Sequence, residues 1–458
     1  MASPSEPQKK RNREDQGLHN ERPVASFPVK DPATQLIAAP QLPGDRLLSC
    51  CALLLAGVSD GQSRIGEMSA TDEIRKVAAA LRELGATVVE RDENWLVDGV
   101  GNGALLQPER VLDFDHADTA ACLMAGLLSS YDFPVEISGI SNPSMSAVLY
   151  ALQESGAQID ADGAGNLPVK LHGAPLCVPI LHRIPVRDES LKAALLLAGL
   201  NIAGTTTIID PQPSSDHLEK MMVQFGALIT VSPTKEGSRC ISVEGQPDLQ
   251  AQEIHIPGDP FLAGCLVVAG LIVPDASLTI KSVFLNSSQI SFLETLVEMG
   301  ADIEIVEHGV FAEQPVCDLL VRNSCLNGVD IPQERIHSIG EQYPLIAVAA
   351  SNANGRITMA QPSDVITDGV KGMGDLANAL QANGVSCALD DNTLTIVGTG
   401  SVPGGGAVKA GVDARIAMAC LIMGMGSQEP VKIDDARLIN RDHSQFLAFM
   451  RSFGANLV

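Results

Sequence analysis

Apolar positions along the chain fall into two alternating kinds of helical stretch. One kind is amphipathic: Ile74, Val77, Ala78, Leu81 and Leu84 share one face, at the spacing of a helix half covered by its neighbours. The other is apolar all round, as in "ALLLAG" at Ala52 and "CLVVAGLI" at Cys265, and predicts a helix buried on every side. Each amphipathic stretch ends in a glycine followed by a strand-like segment, as in "LRELGATVV" and "LVEMGADIEI". These glycines, Gly85, Gly156, Gly226, Gly300, Gly384 and Gly454, recur at intervals of 70 to 84 residues. Glycine fits the position just past a helix C-terminus, where a positive φ costs it little.

The chain therefore reads as six repeated helix–strand units of an α/β fold, each with a buried inner helix, an amphipathic outer helix and several strands. A period near seventy is too long for a thin solenoid and favours a closed or bundled arrangement. The tripeptide Pro-Gly-Asp occurs twice, at Pro43 and Pro257, and each copy leads into an inner helix. Three glycine-marked units lie between the copies and three follow the second. The expected architecture is two lobes of three units, residues 46–255 and residues 31–45 with 256–458, with crossings near 43–46 and 255–259. Residues 1–30 are polar, carry "KKRNRED" and read as a disordered tail. Inner helices whose N-termini converge on the interlobe cleft would create a strong anion site.

Composition narrows the picture. Apolar residues make up 45% of the chain and aromatics only 3%, so the cores are built from Ala, Leu, Ile and Val. A formal charge of −24, with no basic block beyond the tail, argues against nucleic-acid binding. The longest apolar run, "FLAGCLVVAGLIV" from Phe261, is too short to span a bilayer, and no signal peptide is visible. The ten cysteines show no CxxC pair and no metal-like spacing with the nine histidines. Reduced, buried thiols in a cytoplasmic protein are the expectation, with no metal site and no cofactor. Cys50, Cys51, Cys122, Cys265 and Cys420 read as small core residues, and His116 and His217 as structural or solvated.

The six units, the "PGD" crossings and the stretches "DENWLVDGVGNGALLQPE", "LLLAGLN", "IPGDP", "PLIAVAA" and "DARIAMACLIMGM" resemble the enolpyruvyl transferases. Among these the resemblance is to the EPSP synthase family in its bacterial glyphosate-tolerant class. It implies a two-lobed fold and transfer of the enolpyruvyl group of PEP onto the 5-hydroxyl of shikimate 3-phosphate. Such a cleft holds two polyanions among Lys and Arg, and a carboxylate handles the hydroxyl proton.

At the positions that carry this chemistry the chain departs from the family. Arg46 stands for a lysine and Leu47 for a serine, while Cys50 and Cys51 stand for the histidine and arginine that follow. Cys122 falls where the PEP-binding arginine would be, and Pro143 lies near another arginine position. Asp188, Glu189 and Ser190 occupy the trio that contacts the shikimate ring and phosphate. Ser215, Asp216 and His217 take the place of "RDH", and Phe261 and Leu262 replace two serines. Gln289, Ile366, Asp368 and Gly372 fall on positions that are basic in the family. Glu341 stands where the catalytic aspartate would be, with Gln342 beside it in place of a glutamate. Asp413 and Arg415 survive, and Arg441 lies near a position where some relatives carry a lysine.

The ligand-binding candidates are therefore Arg46, Asp413, Arg415, Arg441 and Gln342, with Glu341 as the catalytic group if activity remains. Arg46 and Arg415 serve equally well as structural ion-pair partners, Arg415 with Asp413. A charge-assisted hydrogen bond contributes about 1.5–3 kcal/mol. Losing six or so removes on the order of 10 kcal/mol, against about 8 kcal/mol for a whole micromolar ligand. The expectation is a pseudoenzyme with a binding or assembly role. The alternatives are an enzyme or binder of a less anionic small molecule in the same cleft, and a weakly active EPSP synthase. A protein partner is left open.

Overall fold

The structure is a computed structural model that describes residues 23–29, 42–69, 71–92, 94–139, 143–161, 168–185, 188–211, 215–234, 238–311, 314–360, 369–390, 392–409, 413–436, 439, 443, 445–452 and 454–458. The inner helices are Arg46–Gly57, Asp118–Leu128, Glu189–Gly199, Pro260–Ile272, Tyr343–Ser351 and Ala414–Gly426. They are buried nearly end to end: in Arg46–Gly57 every residue from Leu48 onward is buried, and in Pro260–Ile272 every residue from Phe261. The six repeat glycines all adopt positive φ, between 79° and 104°, which only glycine enters freely.

Each unit contributes a small sheet. In the first, Asp60–Gly66 pairs in parallel with Glu253–His255 and antiparallel with Asn94–Val100, and Thr87–Arg91 lies outside. The same order, one parallel pair and then two antiparallel ones, recurs in the second, third and fifth units. Because Glu253–His255 follows the third unit in the chain, its pairing with the first unit closes that half of the molecule.

The buried apolar residues form two clusters. One runs from Leu48 to Ile256; the other joins Val24, Val29 and Leu42 to residues from Phe261 to Leu457. We take these as the two lobes, meeting at the paired Pro-Gly-Asp segments. Those segments are reciprocal. Asp45 N donates to Pro257 O at 2.8 Å and Asp259 N donates to Pro43 O at 2.8 Å, with a bridge between Gly44 and Gly258. A Cβ on Gly44 would come within 2.2 Å of Glu67 O, so the crossing needs glycine there. Beside the second crossing, where Gly258 bridges to Val283, Phe284 joins the first-lobe cluster together with Phe311, and its ring meets His217 edge-on at 4.3 Å.

The tail reading needs correction at its end. Val24–Ser26 is a strand, paired antiparallel with Val431–Ile433 in the sheet of the sixth unit. Alternating burial of Val24 and Ser26 against that sheet offsets the polar character of the neighbouring sequence. Residues 1–22 lie outside the described residues. No helix among the described residues is long and apolar enough to cross a membrane.

Candidate functional site

The starts of the inner helices are where the sequence predicts an anion site. A helix N-terminus has first-turn N–H groups without helical partners, and an anion there is favoured. In this chain the partners are its own carboxylates. Asp45 Oδ1 accepts from Leu48 N at 2.8 Å, Asp188 Oδ1 from Leu191 N at 2.9 Å, Asp259 Oδ1 from Leu262 N at 2.9 Å and Asp413 Oδ1 from Arg415 N at 2.8 Å. The helix Asp118–Leu128 has no cap of its own, and Glu73, from the outer helix of the first unit, reaches across to accept from Ala120 N at 2.9 Å. Five of the six inner helices thus begin on a protein carboxylate.

Gathering carboxylates in a partly desolvated place shifts their protonation. Burial, and then the charge of Asp259, push the Asp45 carboxyl up to about 7. Burial also raises Asp259 and Asp188 above the ordinary carboxylate range.

The two surviving arginines are held by acidic partners. Arg46 Nε lies 3.4 Å from Glu73 Oε2, and Arg415 Nη2 lies 3.0 Å from Glu341 Oε1. Burial disfavours the Arg415 charge, but Glu341 and Asp413 outweigh it and hold the guanidinium above its ordinary pKa. Arg46 opposes Arg415 electrostatically, so the two cations face the same region. Arg415 does not pair with the Asp413 carboxylate through its side chain, as the sequence suggested; that carboxylate caps the Arg415 amide, and the guanidinium reaches Glu341. Glu341 itself stands on the short turn Gly340–Gln342, with its side chain largely exposed.

Behind this turn, Gln342 Nε2 donates to Gln289 Oε1 at 3.0 Å in a buried amide pair. Gln289 Nε2 and Gln342 Oε1 have no hydrogen-bond partner. Gln342 is therefore part of the packing beneath the cleft. A Cβ on Gly264 would come within 2.7 Å of its Oε1.

On the first-lobe side a buried ion network fills the space beside Asp45. Lys192, 1% exposed, donates to Ser215 O and lies 3.2 Å from Glu189 Oε2 and 3.3 Å from Glu219 Oε1. Arg239 Nη2 lies 3.3 Å from the same Glu219 oxygen. Glu189 Oε1 also accepts from Ser215 N at 2.9 Å. Glu189 and Glu219 outweigh the burial cost and keep Lys192 above its ordinary pKa. The cavity left between Asp45, Leu47, Glu189, Lys192, Ser215 and His217 is about 30 Å³, room for a water or two.

Comparison with known proteins decides the lineage. Residues 31–450 match the family model for EPSP synthase (3-phosphoshikimate 1-carboxyvinyltransferase). The chain belongs to the EPSP synthase family. A protein of Bartonella henselae named 3-phosphoshikimate 1-carboxyvinyltransferase is 38% identical over 430 residues, covering 93% of this chain and 97% of its own. One of the same name from a Chelativorans species is 39% identical over 423 residues, covering 91% and 94%. Among solved structures, EPSP synthase of Acinetobacter baumannii superposes with a TM-score of 0.82 at 22% identity, over 95% of this chain and 99% of its own. The enolpyruvyl transferase NikO of Streptomyces tendae follows the same fold at a TM-score of 0.69 and 17% identity, over 95% and 98%.

Within this EPSP synthase fold the departures noted in the sequence take definite places. Cys51 and Cys122 are fully buried, and burial pushes both thiols well up. Phe261 and Leu262 are buried at the start of the fourth inner helix. Leu47 lines the small cavity. Ser190 lies in the first turn of the third inner helix, and Gly372 sits where a Cβ would be 2.9 Å from Tyr343 Oη. Ile366, Asp368 and Arg441 lie outside the described residues. Sequence reasoning missed Glu73, Lys192, Glu219 and Arg239. The one local signal was the acidic first turn of the helix Asp72–Glu83.

Proposed function

We propose that this EPSP synthase family member has lost 3-phosphoshikimate 1-carboxyvinyltransferase activity and retains the fold as a pseudoenzyme with a binding or assembly role. The observation that carries this reading is that Asp188 and Glu189, which depart from the family pattern, start the third inner helix, while Glu73 and Glu341 hold the two surviving arginines. The family reaction requires two polyanionic substrates beside cations. Here Asp188 takes Leu191 N and Glu189 stands beside it at the start of the third inner helix, Glu73 takes Ala120 N, and Glu73 and Glu341 hold Arg46 and Arg415. Desolvating a phosphate or a PEP carboxylate against these anions is unfavourable.

The small cavity beside Asp45 supports the same reading and disfavours an organic ligand there. The names of the relatives support common descent of the fold, while activity depends on the site. A thermal-shift titration with shikimate 3-phosphate, PEP and glyphosate tests the proposal. A ligand at about a hundred times its dissociation constant stabilises by roughly 2.7 kcal/mol. No shift is expected from any of the three, and a saturable shift with either substrate overturns the reading.

A further inference from the structure

A groove of about 550 Å³ opens on the first lobe, between the helix His217–Gln224 and the strands Leu228–Pro233 and Arg239–Glu244. Its volume falls within the range of small-molecule sites. Val223 and Val231 stand 51% and 47% exposed there. Val223, Ile229 and Val231 give the groove an apolar floor, and Glu219 and Arg239 line it as well.

Glu219 is the unusual member. Its side chain is 3% exposed; Oε1 takes both Lys192 and Arg239, while Oε2 is buried with no hydrogen-bond partner. A buried carboxylate oxygen in this state gains from any donor brought to it. Among the groups that line the groove, Asp216 and Glu219 balance Lys220 and Arg239, and Lys220 is itself paired with Asp216 at 3.2 Å. His217, on the opposite side of the network, adds no charge at neutral pH, since burial holds its ring down at about 4.

We propose that this groove binds a small organic cation with an apolar body, its N–H group donating to Glu219 and its body lying on Val223, Ile229 and Val231. None of the inner-helix caps lines the groove, though Glu219 is joined through Lys192 to Glu189 at the start of the third inner helix.

Isothermal titration of the full chain with phenethylamine tests it, with 3-phenylpropionate as the anionic control of similar shape. Phenethylamine binds saturably, and the carboxylate binds at least about tenfold more weakly, the scale of one charge-assisted hydrogen bond. Val231→Trp, which fills the groove and leaves every residue of the ion network in place, weakens phenethylamine at least about tenfold, and Glu219→Gln does the same where it folds. Absence of saturable phenethylamine binding overturns the proposal. So does equal affinity for amine and carboxylate, or unchanged affinity in Val231→Trp.

Discussion

Glu73 and Arg46 are held together across two structural elements: Glu73 Oε1 accepts from Ala120 N at 2.9 Å while its Oε2 lies 3.4 Å from Arg46 Nε. One carboxylate thereby caps the second inner helix and neutralises the cation that starts the first. An anion binding at Ala120 N would have to displace Glu73.

Removing this carboxylate strands a buried amide and a half-buried guanidinium. Glu73→Ala is expected to lower the unfolding free energy by about 2–4 kcal/mol. Glu73→Gln keeps an oxygen for Ala120 N and is expected to cost about 1–2 kcal/mol. Urea unfolding of the two variants checks the order; equal losses would mean that the cap to Ala120 contributes nothing.

The crossing is sensitive to pH through Asp45. Its folded-state carboxyl titrates at about 7, above the 3.8 of the unfolded chain. A raised pKa gives stability that is full below the unfolded value and lost as pH rises through the folded one, so the loss spans pH 4 to 7. Asp45→Asn keeps an oxygen for Leu48 N and removes the titration. Relative to wild type it is expected to gain about 2–4 kcal/mol at pH 8 and to converge with it near pH 4. Thermal unfolding at both pH values reads the difference, and a constant offset would contradict it.

His217 has the opposite sign. Burial lowers its pKa from 6.5 to about 4, and both ring nitrogens lack hydrogen-bond partners. Its contribution is full above 6.5 and lost as pH falls toward 4. His217→Phe preserves the ring against Phe284 and cannot protonate. It is expected to exceed wild type by about 2 kcal/mol more at pH 5 than at pH 7.5. Urea midpoints of the two proteins at those pH values provide the measurement.

Thiol reactivity separates core from surface. Cys325 is exposed, whereas Cys50, Cys51, Cys122, Cys265 and Cys420 are buried, with burial pushing Cys420 up to about 12 and the others well above the ordinary thiol range. Iodoacetamide mapping of the native protein is expected to label Cys325 first and none of those five. Native labelling of Cys122 would contradict its place in the core.

The repeat was legible because its signals are local: an amphipathic helix, a glycine with positive φ such as Gly85 or Gly300, and a strand. The inner helices were legible for the same reason, since "ALLLAG" has no polar face to expose. Val24–Ser26 was not, because a three-residue strand is specified by a partner at Val431–Ile433, some four hundred residues away. The candidate site was legible only in part. Arg46, Glu341 and Arg415 were singled out from the resemblance, but the partners they have in the structure arise from tertiary packing. Nothing in the sequence joins Glu73 to Ala120, Lys192 to Glu219, or Gln289 to Gln342.

The central claim is that the replaced positions, Asp188 and Glu189 among them, and the pairing of Arg46 with Glu73 and of Arg415 with Glu341 leave the two polyanionic substrates no cationic site among the described residues. The direct test is phosphate release by the purified chain given shikimate 3-phosphate and PEP, beside the Bartonella henselae relative in the same buffer. The account predicts no release above the protein-free blank while the relative turns over. Release by this chain at a rate comparable to the relative would contradict it.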